Sequence, residues 1–181
     1  MQSRHFKFWP KGKPYTLPSL DCSVLENLLR SAERYTDHAA IIYYDSPISY
    51  RDLRDQSLSL GFFLKSQFNV ETGDRVLLYM QNSPQFVIGY YGILAAGAVV
   101  VPVNPMNKSA ELEYMISDTH AEVMLAGQEV VNFALPLLKT TSLKKIIYTN
   151  YADYLLHDTD LELPSEVTQT RKSFALSELI D

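Results

Sequence analysis

Residues that could do chemistry are sparse in this sequence, and most are neutral. Polar groups cluster at four points: Gln81-Asn82-Ser83, Asn104-Pro105-Met106-Asn107, Gly127-Gln128 and Asn150-Tyr151. Amides, hydroxyls and a phenol at such points can orient a ligand by hydrogen bonding. They cannot move protons near neutrality as a carboxylate or imidazole does. The four histidines, His5, His38, His120 and His157, are scattered, and none has a second ligand at metal spacing. No Ser-His-Asp or Cys-His set can be assembled from these positions.

Several phosphate-binding designs are excluded. A receiver-type phosphoacceptor needs aspartates at the strand ends, whereas Asp74 precedes its strand. Gly89, Gly92 and Gly97 lie within or at the end of a helical pattern, not in a Gly-x-Gly-x-x-Gly turn after a strand. Gly-x4-Gly-Lys-Ser/Thr does not occur. Gly89 and Gly92 are read as small residues that let a buried helix approach its neighbours closely. Tyrosine pairs such as Tyr43-Tyr44 and Tyr90-Tyr91 are read as packing residues.

The elements that position these groups follow from periodicity. Val24, Leu25, Leu28, Leu29 and Ala32 recur at helical spacing behind a capping Ser23, with Glu26 three residues on. Ala39–Tyr44 predicts a strand, Asp45-Ser46-Pro47 a turn and Ile48–Tyr50 a returning strand. Ser49 then caps a helix to Phe68 with Leu53, Leu60 and Leu64 inward. Beyond the turn at 71–74, strands are expected at 75–80, 99–103, 122–126 and 144–149. Helices are expected between them: from the Ser83 cap with Pro84 to a close at Gly97, from a Ser109 cap to Thr119, and over 129–138 until Pro136 breaks it.

That β-α-β-α-β-α-β order implies an α/β fold: a three-layer, mostly parallel sheet with helices on both faces and right-handed crossovers. In such a sheet ligands sit outside the carboxyl ends of the strands, where the four polar clusters fall. The uncharged stretch from Val76 to Asn107 is long enough to span a bilayer, but Gln81 to Gln85, Pro102 and Pro105 interrupt it. It reads as a buried strand, helix and strand. Residues 1–21 read as an extended Pro-rich arm, 22–150 as the sheet subdomain, and 151–181 as a polar, poorly patterned segment with one more helical turn over 173–181.

The chain has 181 residues, 46% apolar and 20% charged, with net charge −5 and a single cysteine, Cys22. This is a globular balance able to bury a core without disulfides. Lys144-Lys145 is the closest approach to a basic block, so nucleic-acid binding has no electrostatic footprint. The N-terminus, with Arg4, Phe6, Phe8 and Trp9, is mixed aromatic and basic and is no signal peptide. A cytoplasmic location is expected, including a peripheral place on a membrane.

Specific words then add to periodicity. Ile48-Ser49-Tyr50-Arg51-Asp52-Leu53 resembles the [LI]-[TS]-Y-x-[ED]-L segment of adenylate-forming (AMP-binding) enzymes. These include acyl-CoA synthetases, luciferases and peptide-synthetase adenylation domains. Gly73-Asp74-Arg75-Val76 followed by Asn82-Ser83-Pro84-Gln85-Phe86 resembles the next block. Tyr91 to Val99, running into Pro102-Val103-Asn104-Pro105, resembles the one after, and Glu111-Leu112-Glu113-Tyr114 with Asp118 continues it. Order and gaps match from about Phe8 to Asn150. Phe8-Trp9-Pro10 and the Met106 variant are most similar to the branch acting on fatty or aromatic acids.

The resemblance implies an ATP-dependent acyl-CoA ligase. A carboxylate attacks the α-phosphate of ATP to give an acyl-adenylate and pyrophosphate, and coenzyme A then displaces AMP. It implies ATP, magnesium and coenzyme A for a complete enzyme, and the rest of the ligase polypeptide as partner. The family's Ser/Thr/Gly-rich phosphate loop and its catalytic lysines are not matched in this sequence. The expectation is therefore an N-terminal portion, inactive alone, that self-associates through uncovered apolar surface. No catalytic, cofactor-binding or metal-ligating residue is assigned; Asn104 is the matched polar strand-end residue to watch, with strand termination as its ordinary role. Two other readings stand beside it: a standalone α/β binding module that has lost the chemistry, and an assembly piece using the arm from Met1 to Pro18 as a docking strap.

Overall fold

The computed structural model describes residues 4–16 and 22–168. Four parallel strands carry the fold: β3 (Arg75–Tyr79), β4 (Val99–Val103), β5 (Val123–Gly127) and β6 (Lys145–Thr149). They lie in the order β4-β3-β5-β6. Residues on β3 alternate between two cores. Val76 and Leu78 face helices α2 (Tyr50–Phe68) and α3 (Pro84–Ala95) with Leu64 and Ile93. Leu77 and Tyr79 face α4 (Ser109–Thr119) and α5 (Val131–Ala134) with Leu112, Ile116 and Val131. Helices on both faces explain why β3 beyond the exposed Arg75, and all of β5, are apolar and buried. Pro102 sits on edge strand β4, where a missing N–H costs no ladder bond on the open side. The uncharged stretch is β3, α3 and β4, and among the described residues no helix is long and apolar enough to cross a membrane.

A hairpin, β1 (Ala39–Tyr43) with β2 (Ser46–Ser49), precedes the sheet, and α1 (Val24–Arg34) joins its core through Leu28 with Ile48, Leu53 and Ile88. Three helix starts sit where serines predict them. Ser23, Ser49 and Ser83 accept the backbone N–H of Glu26, Asp52 and Phe86 at 3.1, 3.1 and 3.2 Å. At the end of α3, Gly97 adopts φ +78° and Ala98 N–H returns to Ile93 O. Gly89 meets the sheet at Leu78, while Gly92 packs against Leu60 of α2, so the two glycines admit different neighbours.

Four expectations are corrected. The hairpin turn is Tyr44-Asp45, both at positive φ, and Ser46 and Pro47 belong to β2. A two-residue hairpin turn needs positive φ at its centre to match the strand twist, a condition that overrides the turn preference of Ser-Pro. Ser109 is the first residue of α4, not its cap; its hydroxyl donates to Phe133 O at 2.8 Å. The preceding Lys108 N–H donates to the Glu111 carboxylate at 3.0 Å, which satisfies that helix start instead. The helix expected over 129–138 is only α5 followed by a 3-10 turn over Leu135–Lys139, since Pro136 has no N–H to continue it. The arm is not extended where it is described: Arg4–Phe8 is a 3-10 turn. Residues 173–181 lie outside the described residues.

Candidate functional site: the carboxyl ends of the strands

The chain runs from β3 outward to β4, then crosses back to β5 and on to β6, so the topological switch lies between β3 and β5. The crevice outside that switch point is where this architecture takes ligands. Here it is filled by Tyr151, from the 3-10 turn after β6 (Tyr151–Tyr154), with only 1% of its surface exposed. Its phenol oxygen accepts Gln81 N–H from the end of β3 at 2.8 Å. The same hydroxyl donates to Glu129 Oε1 beyond β5 at 2.8 Å. One side chain thereby ties three strand ends together.

The amides complete this brace. Gln128 Oε1 accepts Tyr151 N–H at 2.8 Å, and Gln128 Nε2 donates to Glu166 O at 2.7 Å. Gln85 Nε2, in the first turn of α3, donates to Asn150 O at 2.8 Å. Residues 151–168, the described part of the poorly patterned segment, are therefore fastened down, and Val167 of α6 (Ser165–Thr168) is buried in the α2/α3 core. Gly127 leaves room for this brace: a Cβ on it would lie 2.2 Å from Tyr151 Oη and 2.5 Å from Glu129 Oε2.

Glu129 corrects the reading of these ends as free of carboxylates. Burial pushes its carboxyl above the ordinary range, against the lowering effect of its own backbone N–H and of Tyr151; Glu166 nearby adds to the rise. Its Oε2 is buried without a hydrogen-bond partner. Burial also pushes Tyr43 up to about 12, and Tyr151 well beyond the usual phenol range. The phenols thus remain protonated donors at neutral pH.

The other predicted groups stay apart from this brace. Asn104 Oδ1 accepts Met106 N–H at 2.9 Å, a local turn that ends β4. Tyr79 Oη donates to Asn107 O on the α4/α5 side. His38, His120 and His157 lie on three separate turns, and Cys22 Sγ approaches Asn27 Oδ1 at 3.5 Å. Among the described residues no group of three His, Cys, Asp or Glu is placed to hold a metal ion. Lys108, just after β4, has its ammonium over the Phe133 ring at 4.1 Å.

Two hollows flank the filled crevice. One of about 340 Å³ is lined by Tyr43, Tyr44, Gln81, Asn82, Tyr151 and Glu166. The other, about 500 Å³, lies between α2, α3 and β6 with Leu60, Met80, Ile88, Leu125 and Ile147 in its walls. A half-buried carboxyl engaged by the Tyr151 hydroxyl, a protonated phenol and amides engaged with backbone do not fit a magnesium-bound triphosphate. The site is a hydrogen-bonded brace with an apolar flank.

Comparison with known proteins agrees with the fold. A family model described as AMP-binding enzyme matches residues 28–174. A long-chain-fatty-acid–CoA ligase of Bacillus subtilis (strain 168) is 32% identical over 164 residues, covering 91% of this chain and 29% of the relative. One from Yersinia pestis is 34% identical over 157 residues, covering 82% and 27%. The chain thus spans less than a third of the length of these curated relatives. Among solved structures, a long-chain-fatty-acid–CoA ligase from Archaeoglobus fulgidus superposes with TM-score 0.68 at 23% identity, over 74% of this chain and 28% of that one. An anthranilate–CoA ligase in complex with anthranoyl-AMP gives 0.66 at 24% identity, over 72% and 26%.

Proposed function

The chain belongs to the AMP-binding enzyme family, and from that premise we propose that it is the N-terminal part of an ATP-dependent, AMP-forming ligase that joins a long-chain fatty acid to coenzyme A. The observation that carries this reading is the match to long-chain-fatty-acid–CoA ligases at 32% and 34% identity over most of this chain. The overall reaction converts acid, ATP and coenzyme A to acyl-CoA, AMP and pyrophosphate. This part supplies scaffold: the sheet subdomain at 22–150, held at its carboxyl edge by the Tyr151 brace. The residues at these strand ends do not fit ATP or magnesium, which are left to the rest of the polypeptide. The rest of the ligase polypeptide is the partner, and the cytoplasm the place. Leu58 and Phe62, four residues apart on α2 and 40% and 73% exposed, support self-association when nothing covers them.

The test is acid-dependent exchange of pyrophosphate into ATP. The 181-residue chain is expected to be silent with oleate, palmitate and benzoate in the presence of magnesium. The longest reading frame containing it is expected to exchange with the long-chain acids. Robust acid-dependent exchange by the chain alone would overturn the proposal, and so would a longer polypeptide that ignores fatty acids.

A further inference from the structure

Residues 4–16 fold into a small lobe with its own hydrogen bonds. Trp9 Nε1–H donates to Pro14 O at 3.1 Å, and Trp9 N–H to Phe6 O at 3.1 Å. The rings of Phe6 and Tyr15 lie 4.5 Å apart, those of Phe6 and Trp9 5.9 Å, and Lys7 Nζ sits 4.7 Å from the Phe8 ring. Every residue of the lobe except the half-buried Phe6 is exposed. Phe8 is 77% exposed, Tyr15 61% and Trp9 38%. An ordered aromatic cluster is thus held in water.

Its charge differs in sign from that of the rest of the chain. Arg4, Lys7, Lys11 and Lys13 fall within 4–16, with no Asp or Glu, giving +4. The other 12 Lys/Arg and all 21 Asp/Glu lie outside it, a balance of −9. An anionic surface therefore attracts this lobe and repels the remainder, which fixes the orientation of approach. Tryptophan and tyrosine favour the level of lipid headgroups, phenylalanine enters the acyl boundary, and lysines bind anionic headgroups.

We propose that the lobe of residues 4–16 is an interfacial anchor that seats this protein on an anionic lipid bilayer. A nucleic-acid polyanion would meet the four cations but would leave Phe8 in water, so the exposed rings favour lipid. The inference does not depend on the ligase reading.

Trp9 is the single tryptophan of the chain, so its fluorescence reports on the lobe alone. The full chain is titrated with phosphatidylglycerol–phosphatidylcholine vesicles and with pure phosphatidylcholine vesicles. Emission should shift to the blue, with clearly tighter partitioning onto the anionic set. Each cation near the surface is worth about fivefold, so Lys7→Gln/Lys11→Gln/Lys13→Gln should weaken partitioning roughly a hundredfold. Phe8→Ala should weaken it about tenfold. An unchanged thermal melt would show that the variants are folded. The proposal is overturned if Trp9 emission does not move on anionic vesicles, or if the triple-lysine variant partitions like the parent. It is equally overturned if Phe8→Ala has no effect while duplex DNA displaces the vesicles.

Discussion

Replacing Tyr151 by Phe tests the brace with little change of shape. The ring stays, so no cavity opens, and the perturbation is confined to one oxygen. That oxygen accepts Gln81 N–H and donates to Glu129, both at 2.8 Å, in a residue 1% exposed. Its loss orphans a backbone donor and removes the donor that serves a carboxyl whose other oxygen already lacks a partner. An orphaned buried group costs about 1–3 kcal/mol, about 2–6 kcal/mol for a pair; Gln81 is exposed and both bonds are only partly buried, so the predicted loss is about 2–4 kcal/mol. At this chain length that corresponds to a fall in Tm of roughly 5–15 °C. Urea and thermal melts by circular dichroism read the loss, and hydrogen exchange at the Gln81 amide reads its location. Tyr114→Phe, at a side chain 72% exposed, is the control and should stay within about 0.5 kcal/mol of the parent. A Tyr151→Phe loss no larger than that control, or unchanged Gln81 protection, would refute the brace.

Glu129→Gln should raise stability at neutral pH and flatten its pH dependence in the same melts. The folded carboxyl is raised above its unfolded value, so its stabilising contribution is full below the ordinary carboxylate range and is lost as pH rises through the folded pKa. An amide cannot ionise yet still accepts from Tyr151, so a variant whose stability falls with pH like the parent's would contradict the assignment. Gly127→Ala drives a Cβ into Tyr151 Oη and Glu129 Oε2 and should cost about 1–3 kcal/mol; combined with Tyr151→Phe it should be non-additive by more than about 0.5 kcal/mol in a double-mutant cycle. Gly97→Ala forces a Cβ onto φ +78° at the close of α3 and should cost about 1–2 kcal/mol in urea melts, with a neutral result counting against the left-handed cap.

What was legible in the sequence was local. A serine hydroxyl reaches a backbone N–H three residues away, so Ser23, Ser49 and Ser83 could be placed without knowing the fold. Apolar runs around Val76, Val99, Val123 and Ile146 have the composition of strands covered on both faces, and all four are parallel strands. Ser109 looked like the other caps, but Glu111 satisfies the neighbouring N–H and the serine reaches Phe133, 24 residues away. The turn at Tyr44-Asp45 was hidden because a bulky tyrosine carries no sequence signature of positive φ. Glu129 follows Gln128 directly, but the helical pattern over 129–138 hides it among helix residues. β5 runs to Gly127, which places the Glu129 carboxylate among the strand ends.

Tyr151 marks the limit of such reading, and it also bears on function. Its partners are 70 and 22 residues away, and only the strand order β4-β3-β5-β6 makes them neighbours. The same order puts the crevice between β3 and β5, where an open α/β sheet would receive a ligand. A ligand there must displace a phenol with two hydrogen bonds and a buried ring, and must then satisfy Gln81 N–H and Glu129 itself. An anionic phosphate could accept from the amide but would bring its charge beside the half-buried Glu129 carboxylate, whose ionised form burial and Glu166 already disfavour. The switch point is therefore better suited to hold strand ends in register than to bind nucleotide. Polar ligands are left to the flanking hollow at Tyr43, Tyr44 and Asn82, and apolar ones to the hollow between α2, α3 and β6.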